Sequence, residues 1–191
     1  MPASMNLDVP FTSQAPFEDW ELPFKEACEE AALLMVDSFY KGATLTKQGA
    51  TNAIIALTNF QQSRFGYYED TIAEETATVA REYFGYKKVK VVPGPLTADA
   101  IKKEIAQGHP VILPMAGRLL GNIYYRRPGP YYHMLVVKGY TTTEFITNDP
   151  GTKRGQNYRY PYDTLLNAVH DFHLTDITNA PQMMIVIYPN E

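Results

Sequence analysis

The chain has 191 residues, 45% of them hydrophobic, and a formal net charge of −4. That length suits one domain with a core large enough to need no disulfide or structural metal, and the charge offers no basic field to recruit nucleic acid. The single cysteine, Cys28, excludes an internal disulfide framework and a multi-cysteine zinc site.

In chain order, the first 27 residues are irregular, with prolines at 2, 10, 16 and 23. Their start, MPASMNLDVPF, lacks the charged and apolar regions of a signal peptide. No stretch approaches the ~18 apolar residues of a membrane span. The chain as given reads as soluble, and the trimmed form of an exported or anchored protein is compatible with the same start. Leu7-Asp8-Val9 reads as a short edge strand. From Ala27 the pattern turns helical: Ala27, Ala31, Leu34, Met35 and Ser38 share a face, and Gly42 is a stop. A second helix is predicted from Thr46 to about Arg64, and a third over about 71–84, opened by a Thr71-x-x-Glu74 capping box. After Tyr86 the alternation KKVKVV predicts a strand, and a short helix follows over 98–107. A buried strand is predicted at 110–115, a long loop at 116–131, and two strands at 133–140 and 144–148 joined by three threonines. A helix at 162–171 and a strand at 183–188 complete the chain. The expectation is one α+β domain over 1–191, helices first and a mostly antiparallel sheet after, with 66–95 as an elaboration of the helical half.

Cys28 is either a buried small apolar residue or a reactive thiol. It opens the first strong helix, where backbone N–H groups and the helix dipole favour a thiolate. Glu26, Glu29 and Glu30 around it oppose that activation, although acids are ordinary in a first helical turn and at least two of the three are expected to be no more than that. His133 begins the strand HMLVVKGY, and Asp149 follows 16 residues later, after a turn and a second strand. In an antiparallel hairpin the start of one strand neighbours the end of the next, so His133 and Asp149 are expected to meet. Asn148-Asp149-Pro150-Gly151 is also a strong turn sequence, and a turn is a good mount for an orienting carboxylate. Asn148 is the alternative for that role. His109 has no partner carboxylate at a readable spacing. His170 and His173 give only a weak metal hint, and nothing in the pattern asks for a metal or a cofactor.

Three blocks, SQAPFEDWELPFKEACEEAALLMV, GHPVILPM and YYHMLVVKGYTTTEFITNDPGT, resemble the bacteriocin-leader (double-glycine) peptidase-like cysteine peptidases of the papain-like superfamily. At motif level the resemblance spans 7–65 and 105–165. It implies a papain-like fold with Cys28 as nucleophile, His133 as general base and then acid, and Asp149 orienting the imidazole. It also implies that the Gln14 side chain assists the oxyanion beside the backbone N–H of Cys28. The chain departs from the family pattern in carrying Glu29-Glu30 where a small pair such as Gly-Pro usually follows the cysteine, and in a long Gln14–Cys28 loop. Trp20 in that loop either walls a cleft or serves as core or lid.

The function implied is hydrolysis of a peptide or amide bond through an acyl-thioester. A thiol acyltransferase or amidase would use the same residues with another acceptor. A non-catalytic peptide-binding module on the same fold is the alternative that the Glu29-Glu30 departure suggests. Arg126 and Arg127, in a Tyr-rich loop before His133, either contact an acidic substrate group or form a solvated basic loop. Cleavage after Gly-Gly is not carried over, and the oligomeric state is not legible.

Overall fold

The computed structural model describes residues 1–190. Among the described residues, five α-helices, α1 (Cys28–Lys41), α2 (Lys47–Phe65), α3 (Ala73–Glu82), α4 (Ala98–Ala106) and α5 (Tyr162–Ala168), accompany seven strands. The strands are β1 (Met5–Asn6), β2 (Val89–Pro93), β3 (Val111–Ala116), β4 (Tyr132–Tyr140), β5 (Glu144–Asn148), β6 (Tyr158–Pro161) and β7 (Met183–Ile187). They form one sheet in the order β2-β7-β3-β4-β5-β6, with β1 paired to β4, and every pairing is antiparallel. This is the α+β arrangement expected, with a helical first part and an antiparallel sheet after it.

The two-residue period of the strands divides the core into two layers. Ile112, Met134, Val136, Ile185 and Ile187 face Leu33, Met35 and Val36 of α1, Leu57 of α2 and Val79 of α3. The intervening Val111, Leu113, Leu135, Val137 and Val186 face Ile101 and Ile105 of α4 and Leu165 of α5 on the other side. Burying each large aliphatic side chain contributes about 1.5–3 kcal/mol. α1 therefore lies on a rigid floor that includes β4, the strand carrying His133. α1 ends where Gly42 adopts the left-handed conformation (φ 60°). Thr46 and Thr97 cap α2 and α4, accepting from the backbone N–H of Gly49 and Ala100.

Several expectations need correction. The first strand is Met5–Asn6 rather than residues 7–9, although the Leu7 N–H still reaches Lys138 O at 2.8 Å. The capping interaction of α3 lies one residue later than predicted: Glu75, not Glu74, accepts from the N–H of Ile72. Thr71 instead pairs its hydroxyl with Thr76, and Asp171 accepts from Ala73 N–H at the helix start. β6 was not expected, because it is only four residues long and ends in Pro161. His109 does have a carboxylate partner: the turn closing α4 folds back, and its Nδ1 lies 3.1 Å from Glu104 Oε2. His170 Nδ1 faces Ala180 O, and His173 Nδ1 accepts from the Asp176 N–H. No group of three metal-ligating side chains occurs among the described residues, and no helix among them is long and apolar enough to cross a membrane.

Candidate active site

A cavity of about 720 Å³ opens between the start of α1 and the start of β4, and both Cys28 and His133 line it. Cys28 is the first residue of α1, and His133 is the second of β4. The β4–β5 hairpin pairs Val136 with Asn148, so Asp149 emerges one strand away from the histidine. His133 Nε2 lies 2.8 Å from Asp149 Oδ1, and both side chains are fully buried. Gly151 passes against the ring: a Cβ built there would stand 2.9 Å from His133 Cε1 and 3.0 Å from Tyr125 Cε1. Only a glycine leaves the imidazole its place.

Asp149 is the most heavily bonded group of the site. Oδ1 also accepts from the Gly151 N–H at 3.0 Å. Oδ2 accepts from Tyr125 Oη at 2.6 Å, Tyr160 Oη at 2.7 Å and Asn122 Nδ2 at 3.1 Å. Burial alone would push this carboxyl up. The facing His133 and the two tyrosine hydroxyls outweigh it and hold Asp149 at about 2. Tyr125, Tyr160 and Asn122 were not among the residues singled out from the sequence. The Tyr-Arg-Tyr alternation of 158–160 was a signal for Tyr160, whereas nothing local aimed Tyr125 or Asn122 at Asp149. Asn148, the alternative orienting residue, turns elsewhere. Its Nδ2 donates to Val9 O and Pro10 O, stitching the N-terminal segment to the hairpin.

That stitching brings Gln14 to the cavity. Its backbone N–H donates to Pro150 O at 3.0 Å, and Ser13 Oγ donates to the same carbonyl at 3.2 Å. The amide Nε2 of Gln14 donates to Phe24 O (3.0 Å) and Lys25 O (2.9 Å) in the turn entering α1, and its Oε1 is buried with no partner among the described residues. Both N–H groups of the Gln14 amide are thus engaged in this state.

The glutamates around the cysteine are not ordinary first-turn acids. Glu29 and Glu30 are 1% and 0% exposed, packed where α1 meets the sheet and α2, and only Glu26 is partly open. Cys28 Sγ donates to Glu29 Oε2 at 3.1 Å rather than to the imidazole. Burial, followed by Glu29 and then Glu30, pushes the thiol well up, while the Met134 backbone N–H works the other way. Burial also pushes Glu29 well up, with Glu30 adding to it, and pushes Glu30 up to about 8. Glu30 is held by the Gln61 side-chain amide. Trp20 and Arg126 line the cavity, and Arg127, singled out with them from the sequence, is not among its lining residues.

Residues 6–174 match the model of the Peptidase_C39 like family. No curated protein sequence matches the chain. Among solved structures, one described as a C39-like peptidase from Bacillus anthracis superposes with a TM-score of 0.65 at 17% identity, covering 99% of each chain. The cysteine protease CMS1MS2 of Carica candamarcensis, solved in complex with E-64, gives a TM-score of 0.48 at 14% identity over 100% of each chain. A family match over most of the chain, together with the shared fold, establishes that this protein belongs to the Peptidase_C39 like family.

Proposed function

We propose that the protein is a thiol-dependent hydrolase of peptide or amide bonds, with Cys28 as nucleophile, His133 as proton carrier and Asp149 as the group that orients it. The observation that carries this reading is the buried His133–Asp149 pair at 2.8 Å, on the wall of the cavity that Cys28 also lines. With Nε2 held by the carboxylate, Nδ1 is the nitrogen left for proton transfer. It takes the proton from Sγ, and the thiolate attacks the substrate carbonyl carbon. The oxyanion forms beside the backbone N–H of Cys28, where the α1 dipole favours negative charge. Gln14 joins as the second donor by giving up one of its two carbonyl partners. The imidazolium then protonates the leaving amine, leaving an acyl-thioester. Water, deprotonated by His133, releases the acid and restores the thiol. An amine in place of that water would make the same residues an acyltransferase. Trp20 and Arg126 are proposed to contact the substrate.

One observation favours a second reading, a peptide-binding module without turnover: the resting thiol bonds to Glu29. Alkylation by iodoacetamide across pH separates the two. The hydrolase reading expects Cys28 to react faster than a free cysteine peptide at pH 7, and to lose that advantage in His133→Ala. A rate no higher than that of the free peptide, unchanged by His133→Ala, refutes it.

A further inference from the structure

The cavity has an acidic end that the chemistry proposed above does not use. Glu26 comes from the turn before α1, Glu29 from its first turn and Asp70 from the α2–α3 connection, and all three line the cavity beside Cys28. Among the described residues neither Glu29 nor Asp70 has a salt-bridge partner. Glu26 has only Lys25, at 3.8 Å and largely exposed. Among the described residues, the other cations on the cavity wall form no salt bridge with these acids. Lys153 is paired with Glu18 at 2.8 Å, and Arg126 sits in the loop before His133.

A second observation points to an absent donor. Glu29 is 1% exposed, yet its Oε1 has no hydrogen-bond partner among the described residues, while Oε2 receives the thiol. Buried polar atoms are nearly always bonded, so an orphaned carboxyl oxygen on a cavity wall marks where a donor belongs. We propose that this wall binds an ammonium group of the substrate: its three N–H donors suit Glu29 Oε1 together with Asp70 and Glu26, and its charge favours the ionised form of three acids that have one exposed lysine among them. The mutual repulsion of these acids agrees with this. Burial, then Glu26 and Glu69, holds Asp70 up at about 6, and burial pushes Glu26 up. A bound cation reverses the repulsive contributions.

The inference deepens the hydrolase reading by naming a substrate class, peptides bearing either a lysine-type side chain or a free α-amine at the acidic end. Its test does not depend on turnover. Binding of three small amides to the wild-type protein is followed by NMR titration. They are Nα-acetyl-lysine amide, with a side-chain ammonium; norleucine amide, with an α-ammonium; and Nα-acetyl-norleucine amide, with neither. The proposal expects one of the first two to bind about tenfold more tightly than the third, ~1.4 kcal/mol, and which of them does so identifies the source of the amine. The advantage should shrink at least about threefold in Asp70→Asn and in Glu26→Gln, as removing one charge near a partly buried cation demands. In parallel, Cys28 is modified with 2-aminoethyl, 2-sulfonatoethyl and neutral methyl methanethiosulfonate, each of which forms a mixed disulfide and releases methanesulfinate. The cation-to-anion rate ratio, referred to the same ratio for a cysteine peptide, should be about tenfold or more and fall in the same variants. Equal binding of the three amides overturns the proposal, as does a rate ratio equal to that of the peptide. A Cys28 inert to the neutral reagent counts against the hydrolase reading instead, and the amide titration then decides the ammonium site alone.

Discussion

Tyr125→Phe removes one hydroxyl from the clamp on Asp149 and leaves the ring, which packs edge-on against His133 at 5.5 Å between centroids. The lost bond is short, 2.6 Å, and its acceptor is a fully buried carboxylate. A hydrogen bond to a charged group contributes about 1.5–3 kcal/mol, so the variant should lose about that much stability at pH 7. The same loss should raise the Asp149 carboxyl by about 1–2 pH units, since one unit corresponds to about 1.4 kcal/mol. Asp149 is held at about 2 in the folded protein, below its usual 3.8. A depressed carboxyl stabilises the fold above its unfolded value and loses that contribution as pH falls through the folded value. The wild-type advantage should therefore be complete above about pH 4 and shrink between pH 4 and 2, toward the ~0.5–1.5 kcal/mol of a neutral hydrogen bond. Urea denaturation of both proteins at pH 7, 4, 3 and 2.5 measures it. A difference below about 0.5 kcal/mol at pH 7, or one that does not change down to pH 2.5, would show that Tyr125 does not hold Asp149 ionised.

Three other outcomes are expected. Glu30 titrates at about 8 when folded, against an ordinary carboxylate value in the unfolded chain, so its buried ionisation makes the fold less stable as pH rises from about 4.5 to 8. Glu30→Gln, which still pairs with Gln61, should flatten the decline of Tm over that range and raise Tm at pH 8; an unchanged slope would count against a buried neutral Glu30. Gly151→Ala should keep the far-ultraviolet circular dichroism while slowing Cys28 alkylation at pH 7 at least about tenfold, because misplacing a catalytic group by about 1 Å is that costly. A wild-type rate in that variant would mean the imidazole tolerates a Cβ at 2.9 Å. Glu29→Leu removes the acceptor that holds the thiol proton, a bond of about 1 kcal/mol, and should lower the Cys28 pKa in the alkylation profile by about 0.5–1 unit. A profile that stays in place or moves upward would show that Glu29 does not restrain the thiol.

What the sequence determined by itself is what local periodicity controls. The 3.6-residue pattern from Ala27 put Cys28 at a helix start, because a helix face is set by neighbours three and four residues away. The 16-residue hairpin spacing put His133 beside Asp149, because an antiparallel turn returns the chain to its origin. Only the tertiary structure decided what surrounds these groups. Glu29 and Glu30 look like solvated first-turn acids until the sheet and α2 close over them. The donors of Gln14 are engaged by a turn ten residues on, which no pattern in its own segment reveals. Tyr125, Asn122 and Tyr160 reach Asp149 from a long loop and a short strand that share no periodicity with it. Side-chain contacts between separate elements depend on which faces those elements turn to each other, and that is settled by packing the whole chain at once.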